Sequence, residues 1–304
     1  MMRTAPFFLG SLASIKLKPL TQGYPILPLR GRNLLEIFAG RNKMFHSCTL
    51  LLLLLLLPLD KFFAAEHYPF SEHETLEYQV KWDPPAWMFF MPEINAGKIV
   101  FKVVSRSMEK NIPIHRFEGQ AVSTSSLVKV NDAYQSTARG NDLCSEWTKK
   151  IVHEGKRHRE VELRVEGEKK AALVTEKDIA VNPPKIIRNE TLKDFPSCVN
   201  DLLAGAYRAR SFPLKPGETY RLILTDNGKY HEVSLRPLQK ETIQTPAGTF
   251  STQKVEVLSF LGGLVKQKGT FYIWFADDAR HLPVRFDMKV RLGHIHGFLT
   301  RVQE

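Results

Sequence analysis

"TYRLILTDNGKYHEVSLRPL", residues 219–238, reads as a β-hairpin, with Asn227-Gly228 at its tip. That dipeptide tolerates the positive φ angles that a two-residue hairpin turn demands. The same grammar extends in both directions. In "LEYQVKW" (76–82), Leu76, Tyr78, Val80 and Trp82 share one face while Glu77, Gln79 and Lys81 share the other. A period of two is the mark of a half-buried strand. "KIVFKVV" (98–104) repeats it with Ile99, Phe101 and Val103. A weaker strand follows at 115–123, then charged alternating runs near 143–153, 158–166 and 169–176. "TPAGTF" (245–250) is a turn, because proline presets φ and glycine relieves the chain after it. Beyond it come "STQKVEVLSF", "GTFYIWFA", "LPVRFDMKV" and "GHIHGFLTRV", joined by short loops.

Two stretches leave the strand pattern. "SSLVKVNDAY" (125–134) is compatible with a short helix that sets Leu127, Val130 and Tyr134 on one side. "SCVNDLLAGAYRAR" (197–210) is the stronger helix, with Val199, Leu202, Leu203, Ala206 and Tyr207 at helical spacing, Ser197 available as a cap and Pro213 beyond the end. Between them "EKDIAVNPPKIIRNETLKDFP" (176–196) reads as a polar connection. Strands at short intervals with local turns favour an antiparallel meander. Roughly ten or more strands leave long edges unless the sheet curls or closes. The expectation is a mainly β protein: an antiparallel, strongly curved sheet or barrel-like meander with one or two short helices, its interior either filled or hollow.

In "FYIWFADDARHLPVRF" (271–286), Asp277 and Asp278 stand four and three residues before His281, between two apolar runs. Aspartates at a strand end usually bond turn backbone. An acid–base pair would need a cleft and perturbed pKa values, which this stretch does not supply. Asp277 and Asp278 are therefore assigned to a structural turn.

The amino-terminal part has a different character. Leu50 to Leu57 are eight consecutive leucines inside a twelve-residue apolar run, Cys48 to Leu59. A bilayer-spanning helix needs roughly 20 residues. The run is followed by Asp60, Lys61, two phenylalanines and Ala64-Ala65, the layout of a secretory signal. We expect residues 1–43 to be a non-native extension from an over-long start, 44–65 a signal peptide cut near Ala65, and 66–304 a single β-rich domain in the periplasm or cell envelope, close to the membrane but not spanning it. That domain keeps 35 of the 43 basic and 30 of the 32 acidic side chains, a net +5. A clustered basic face with interleaved aromatics, the nucleic-acid signature, is absent; "KKIVHEGKRHRE" (149–160) reads as a solvated strand face and turn.

Candidate sites are few. Trp87, Met88, Phe89, Phe90 and Met91 lie between Pro85 and Pro92. They either plug the barrel mouth or pack under the helix, or they form an exposed apolar patch for a partner, ligand or membrane contact. Cys144 and Cys198 are a possible disulfide in an oxidising compartment. His294 and His296, two apart, share a strand face and are weak metal candidates with no visible third ligand. Ser197-Cys198 lacks the G-x-S-x-G elbow of a hydrolase nucleophile. Asp201 and Arg208, nearly two helical turns apart, can tie the helix down or edge a polar pocket. No catalytic residue, metal or cofactor is assigned.

"CVNDLLAGAYRARSFPLKPGETYRL", "TPAGTFSTQKVEV", "IWFADDARHLPVRF" and "GHIHGFLT", in that order, resemble the bacterial family called domain of unknown function 3108. The first half fits too, through "LEYQVKW" and "INAGKIVFKV", so that the resemblance covers about residues 74–300. It implies export from a Gram-negative cytoplasm and a β-rich fold, and it carries over no catalytic residue. The long apolar loop "DPPAWMFFMPE" (83–93) departs from the pattern. Three functions follow as expectations: non-enzymatic binding of an apolar or amphipathic ligand such as a lipid in a β cavity; an assembly factor engaging an envelope protein through the 87–91 loop; and, third, a hydrolase acting on envelope glycan or lipid.

Overall fold

The structure is a computed structural model that describes residues 68–124, 129–259, 271–290 and 293–304. The expected extension and signal peptide, including the leucine run, lie outside these residues. No helix among the described residues is long and apolar enough to cross a membrane.

Among the described residues fourteen antiparallel strands form one sheet. The chain starts in the middle with β1 (Thr75–Asp83) and steps outward through β2 (Ile94–Glu109), β3 (Ile112–Ser123), β4 (Asn131–Arg139), β5 (Cys144–Glu154), β6 (Arg157–Glu166) and β7 (Ala171–Asp178) to the edge strand β8 (Lys185–Lys193). A connection carrying the helix α1 (Leu202–Arg210) then crosses to the opposite edge, β9 (Tyr220–Asp226). From there β10 (Lys229–Thr245), β11 (Gly248–Ser259), β12 (Phe271–Ala276), β13 (Pro283–Lys289) and β14 (His294–Gln303) step back inward until β14 pairs with β1. Both central pairings of β1 alternate as its sequence does: Leu76, Tyr78 and Val80 are buried. At the tip of the β9–β10 hairpin, Asn227 and Gly228 take φ of 50° and 74°, the left-handed angles that the Asn-Gly pair was expected to supply.

The closed or strongly curved sheet is corrected. The ladder is open, with β8 and β9 as its two ends, and no strand pair closes it among the described residues. Two physical reasons stand out. Strand β8 is exposed along nearly its whole length, so it has no apolar stripe whose burial would drive closure. The free edge of β9 is already taken by the connection: Asn200 N–H donates to the Ile223 carbonyl, and Thr225 N–H donates to the Asn200 carbonyl, both at 2.8 Å. An occupied edge is one of the ways a sheet avoids further pairing.

Two further expectations change. The helix anticipated at 125–134 is not formed in its described part. Val130 bridges Glu154 and Tyr134 lies within β4, so one α-helix remains among the described residues. The connection at 176–196 contains β8, which its adjacent Ile186-Ile187 and polar remainder concealed, because those residues do not alternate.

Candidate ligand cavity

Helix α1 is fixed at both ends by buried charge. Its cap is Asp201, not Ser197: Oδ1 accepts from the backbone N–H of Leu203 at 2.8 Å and Ala204 at 3.2 Å. A carboxylate there satisfies N–H groups that have no partner within the helix. Its other oxygen accepts from the hydroxyls of Ser136 on β4 and Ser145 on β5, at 2.5 and 2.6 Å. Burial raises the Asp201 pKa, and these hydrogen bonds oppose the shift. At the opposite end Arg210, 1% exposed, pairs with Glu74, 0% exposed, through Nη1–Oε1 at 2.5 Å and Nη2–Oε2 at 3.0 Å. Arg210 also donates to the Pro69 and Arg280 carbonyls. Two glycines set the depth of the helix. A Cβ on Gly119 would lie 2.8 Å from the Leu203 side chain, and one on Gly205 would lie 2.6 Å from that of Leu224.

Under this helix the two arms of the sheet line one cavity of about 290 Å³. Its wall is apolar: Phe101 from the first arm, Leu203 from the helix, and Leu222, Leu235, Phe275 and Phe286 from the second arm. Polar side chains enter around the contact between Lys150 Nζ on β5 and Asp226 Oδ1 at the end of β9. Tyr134, opposite Lys150 in the β4–β5 register, lines the cavity there together with Asn227. Tyr134 is 6% exposed, and its hydroxyl finds no hydrogen-bond partner among the described residues. Burial pushes its pKa up, and the charges of Asp132, Asp226 and Glu154 push it further. The amide oxygen of Asn227 is buried and unpartnered as well. Nearby, burial and then the charge of Asp132 raise Glu154 to about 7, against the pull of Arg157.

The residues singled out from sequence are scattered around this cavity. Trp87, Phe89 and Phe90 are 66%, 90% and 68% exposed on a loop whose first turn is a 3-10 helix at Ala86–Met88; Met88 and Met91 are half-buried. None of these residues lines the cavity. Cys144 and Cys198 are joined by a disulfide with their Cα atoms 4.9 Å apart, which pins the segment before α1 to the start of β5. Asp278 Oδ1 accepts from the N–H groups of Arg280 and His281 at 3.0 Å each, and Asp277 meets Lys240 at 2.5 Å. His281 Nδ1 donates to the Arg210 carbonyl at 2.7 Å, so this turn buttresses the end of α1. His294 and His296 stack with ring centroids 6.2 Å apart. His296 Nδ1 donates to Asp287 Oδ1 at 2.8 Å. Burial works against the charge of Asp287, but the hydrogen bonds from His296 and Arg285 prevail and lower its pKa. Among the described residues no three His, Cys, Asp or Glu side chains cluster to hold a metal ion. Arg208 Nη2 meets Asp142 at 2.6 Å, while Asp201 is bound as described, so the two tie α1 to the sheet at separate points. Sequence reasoning did not pick out Lys150 or Asp226, and it placed Tyr134 on a helix and Asn227 only at a hairpin tip. The one available signal was Lys150, a charge at a strand position next to the Tyr134 that was assigned to a helix.

Comparison with known proteins adds the fold and the family. No curated protein matches the chain. Among solved structures, the chain is similar to a beta-barrel-like protein of domain of unknown function DUF1849 from Brucella abortus. The TM-score is 0.50 at 9% identity, over 76% of this chain and 97% of that one. A candidate exported protein with a YmcC-like fold from Bacteroides fragilis aligns at 16% identity and TM-score 0.32, over 78% and 98% of the two chains. A candidate lipoprotein from Parabacteroides distasonis aligns at 11% and 0.32, also over 78% and 98%. The first of these supports a shared fold and nothing about activity. The order of motifs noted in the sequence has its counterpart in a family model, described as protein of unknown function, that matches residues 77–300, and the chain belongs to the DUF3108 family.

Proposed function

We propose that this protein is exported to the periplasm or cell envelope and there binds an apolar or amphipathic molecule without chemically changing it. The observation that carries this is the cavity of about 290 Å³ under α1, whose wall is mostly apolar. Ligand sites of small molecules are concave, mostly apolar and roughly 300–1,000 Å³ in volume, with a few placed polar groups; this cavity stands at the small end of that range. Export is supported by the signal-like segment 44–65 and by the Cys144–Cys198 disulfide, a bond that persists in oxidising compartments.

The test is mass spectrometry of the full chain expressed in a Gram-negative host and purified from the envelope fraction, under denaturing and native conditions. A mature mass beginning near Glu66 with a co-purifying amphiphile is the expected result. Leu222→Trp, which fills the cavity, should abolish the bound species. A mature mass with nothing bound in repeated mild preparations would overturn ligand carriage, and an uncut mass would make the leucine run an anchor. A second reading has its own observation: Trp87, Phe89 and Phe90 are exposed together, which suits an assembly factor that engages an envelope protein.

A further inference from the structure

We infer that the end of the sheet bearing the 86–91 loop docks on an anionic bilayer surface, with Trp87, Phe89 and Phe90 entering the interface and a spread of lysines facing the headgroups. The inference rests on export to the envelope and is independent of what fills the cavity. Strand direction gathers the parts. In this meander every odd-numbered strand runs the same way, so all of them finish at one end of the sheet. The register agrees: Asp83 is level with His294, and His294 with Lys289. Across the first arm Val130 bridges Glu154, Glu154 faces Arg157, and Asp178 faces Lys185. On the second arm Asp226 faces Lys229. At this end Trp87, Phe89 and Phe90 are exposed, and Val181 and Ile186 are exposed near the β8 edge. Aromatic side chains of this kind favour the interface between bilayer and water.

Charge complementarity selects the occupant. Among the carboxylates of these turns, Glu93 pairs with Lys81, Glu154 with Arg157, Asp178 with Arg159 and Asp226 with Lys150, which leaves Asp83. Lys129, Lys156, Lys185, Lys229 and Lys289 form no ion pair among the described residues. The turns at the opposite end show no such excess, since Lys110, Lys170 and Lys193 are balanced by Glu168, Asp194 and Asp278. Protein interfaces are enriched in arginine and depleted in lysine. Here the arginine of the turns, Arg157, is held by Glu154, and the free cations are lysines set on turns across both arms. Lysine is a flexible point charge without the fork that recognises one carboxylate. Several of them on a broad front suit a uniformly anionic surface, and each adds about fivefold to binding near such a leaflet. Asp226 and Asn227, which line the cavity, belong to the same end, so a docked protein would present that side of the cavity to the lipid.

The test uses the full chain expressed in a Gram-negative host and purified from the envelope fraction. It is mixed with phosphatidylcholine vesicles that either lack or contain roughly one-third phosphatidylglycerol. Sedimentation reads binding, and brominated acyl chains read depth by quenching tryptophan. The anionic vesicles should bind about tenfold or more tightly than the neutral ones, and about 0.5 M salt should abolish the preference. Trp87→Phe should keep the binding and lose the quenching, because Trp82 and Trp147 are half-buried in strands and Trp274 is buried. The triple variant Trp87→Ser, Phe89→Ser, Phe90→Ser should bind about tenfold or more weakly. Lys156→Glu with Lys289→Glu, both exposed, should weaken anionic binding about tenfold and leave neutral binding unchanged. Leu222→Trp should not alter vesicle binding, which separates docking from carriage. Equal binding to both vesicles, quenching that survives Trp87→Phe, or binding indifferent to the triple variant overturns the inference. A folded wild type that ignores both vesicles overturns it too, and if that protein still cross-links through the loop in intact envelopes, the loop belongs to a protein partner.

Discussion

The cavity under α1 and the loop at residues 86–91 are both made of large apolar side chains, yet they meet water in opposite ways. In the cavity, Phe101, Leu203, Leu222 and Phe275 come from strands and a helix far apart in sequence; the last three are buried and Phe101 is half-buried. In the loop, Trp87, Phe89 and Phe90 are nearly consecutive, are bounded by prolines, and stand exposed. An apolar surface buried between packed elements already has its stabilisation from folding. An exposed one of this size still has it to gain, which is why such patches mark contacts. The difference separates the two functions proposed here: carriage depends on α1 staying docked, and partner binding depends on the loop alone.

The largest effect should therefore come from undocking α1. Glu74 and Arg210 are fully buried and hydrogen-bonded to each other. Removing one partner strands the other's charge, at about 3–5 kcal/mol. Glu74→Gln is expected to lose that much in chemical denaturation and to lose cavity ligands, while a partner that uses the loop still binds the folded fraction. The double variant Glu74→Gln, Arg210→Met should recover only part of the stability, because it removes the stranded charge but leaves the Pro69 and Arg280 carbonyls without their donor. A loss below about 1 kcal/mol in Glu74→Gln would mean that the helix is held by its apolar face and Asp201 instead.

An intermediate effect is expected at Glu154, beside Arg157 at the β5–β6 turn, and it depends on pH. Glu154 is raised from 4.5 to about 7, first by burial and then by Asp132. Between those values the folded protein holds a proton that the unfolded chain has released. Stability therefore falls as pH rises through this window, and the full cost of the buried charge is present above about pH 7. Glu154→Gln should be about 1–2 kcal/mol more stable than wild type at pH 8. The gain should shrink to nothing below about pH 4.5. A pH-independent difference would show that the substitution acts through its contact with Arg157 and not through ionisation.

The same contrast explains what could be read from the sequence. The loop was legible because its residues are adjacent: five large apolar side chains between two prolines need no fold to be seen together. Strand period and the Asn227-Gly228 tip were legible for the same reason, since both depend on neighbours in sequence. The cavity was not. Its wall alternates with outward-facing residues on many strands, so each contributor looked like ordinary core. Tyr134 was set on a helix because Leu127, Val130 and Tyr134 match helical spacing, but pairing with β3 and β5 overrode that local preference. The cap of α1 was misplaced by four residues, because Ser197 and Asp201 are equally good caps in isolation. Only Ser136 and Ser145, from two distant strands, distinguish Asp201. Closure of the sheet was a global property. Its decision rested on β8, a strand hidden in a segment that does not alternate.

The smallest effect on the free protein should come from the loop, and that smallness is informative. Trp87→Ser, Phe89→Ser and Phe90→Ser combined remove apolar area that the fold does not use, so the free energy of unfolding should change by no more than about 0.5 kcal/mol. Co-purification of an amphiphile with the cavity should be unchanged, because none of the three residues lines the cavity. If the loop serves a partner, the triple variant loses it in cross-linking from intact envelopes while the wild type and Leu222→Trp retain it. The two surfaces are then independent, one for a small molecule and one for a protein. If instead the triple variant loses the small molecule while remaining folded, the loop is part of the ligand's route into the cavity. The contrast between enclosed and exposed apolar surface would then describe two stages of one binding event.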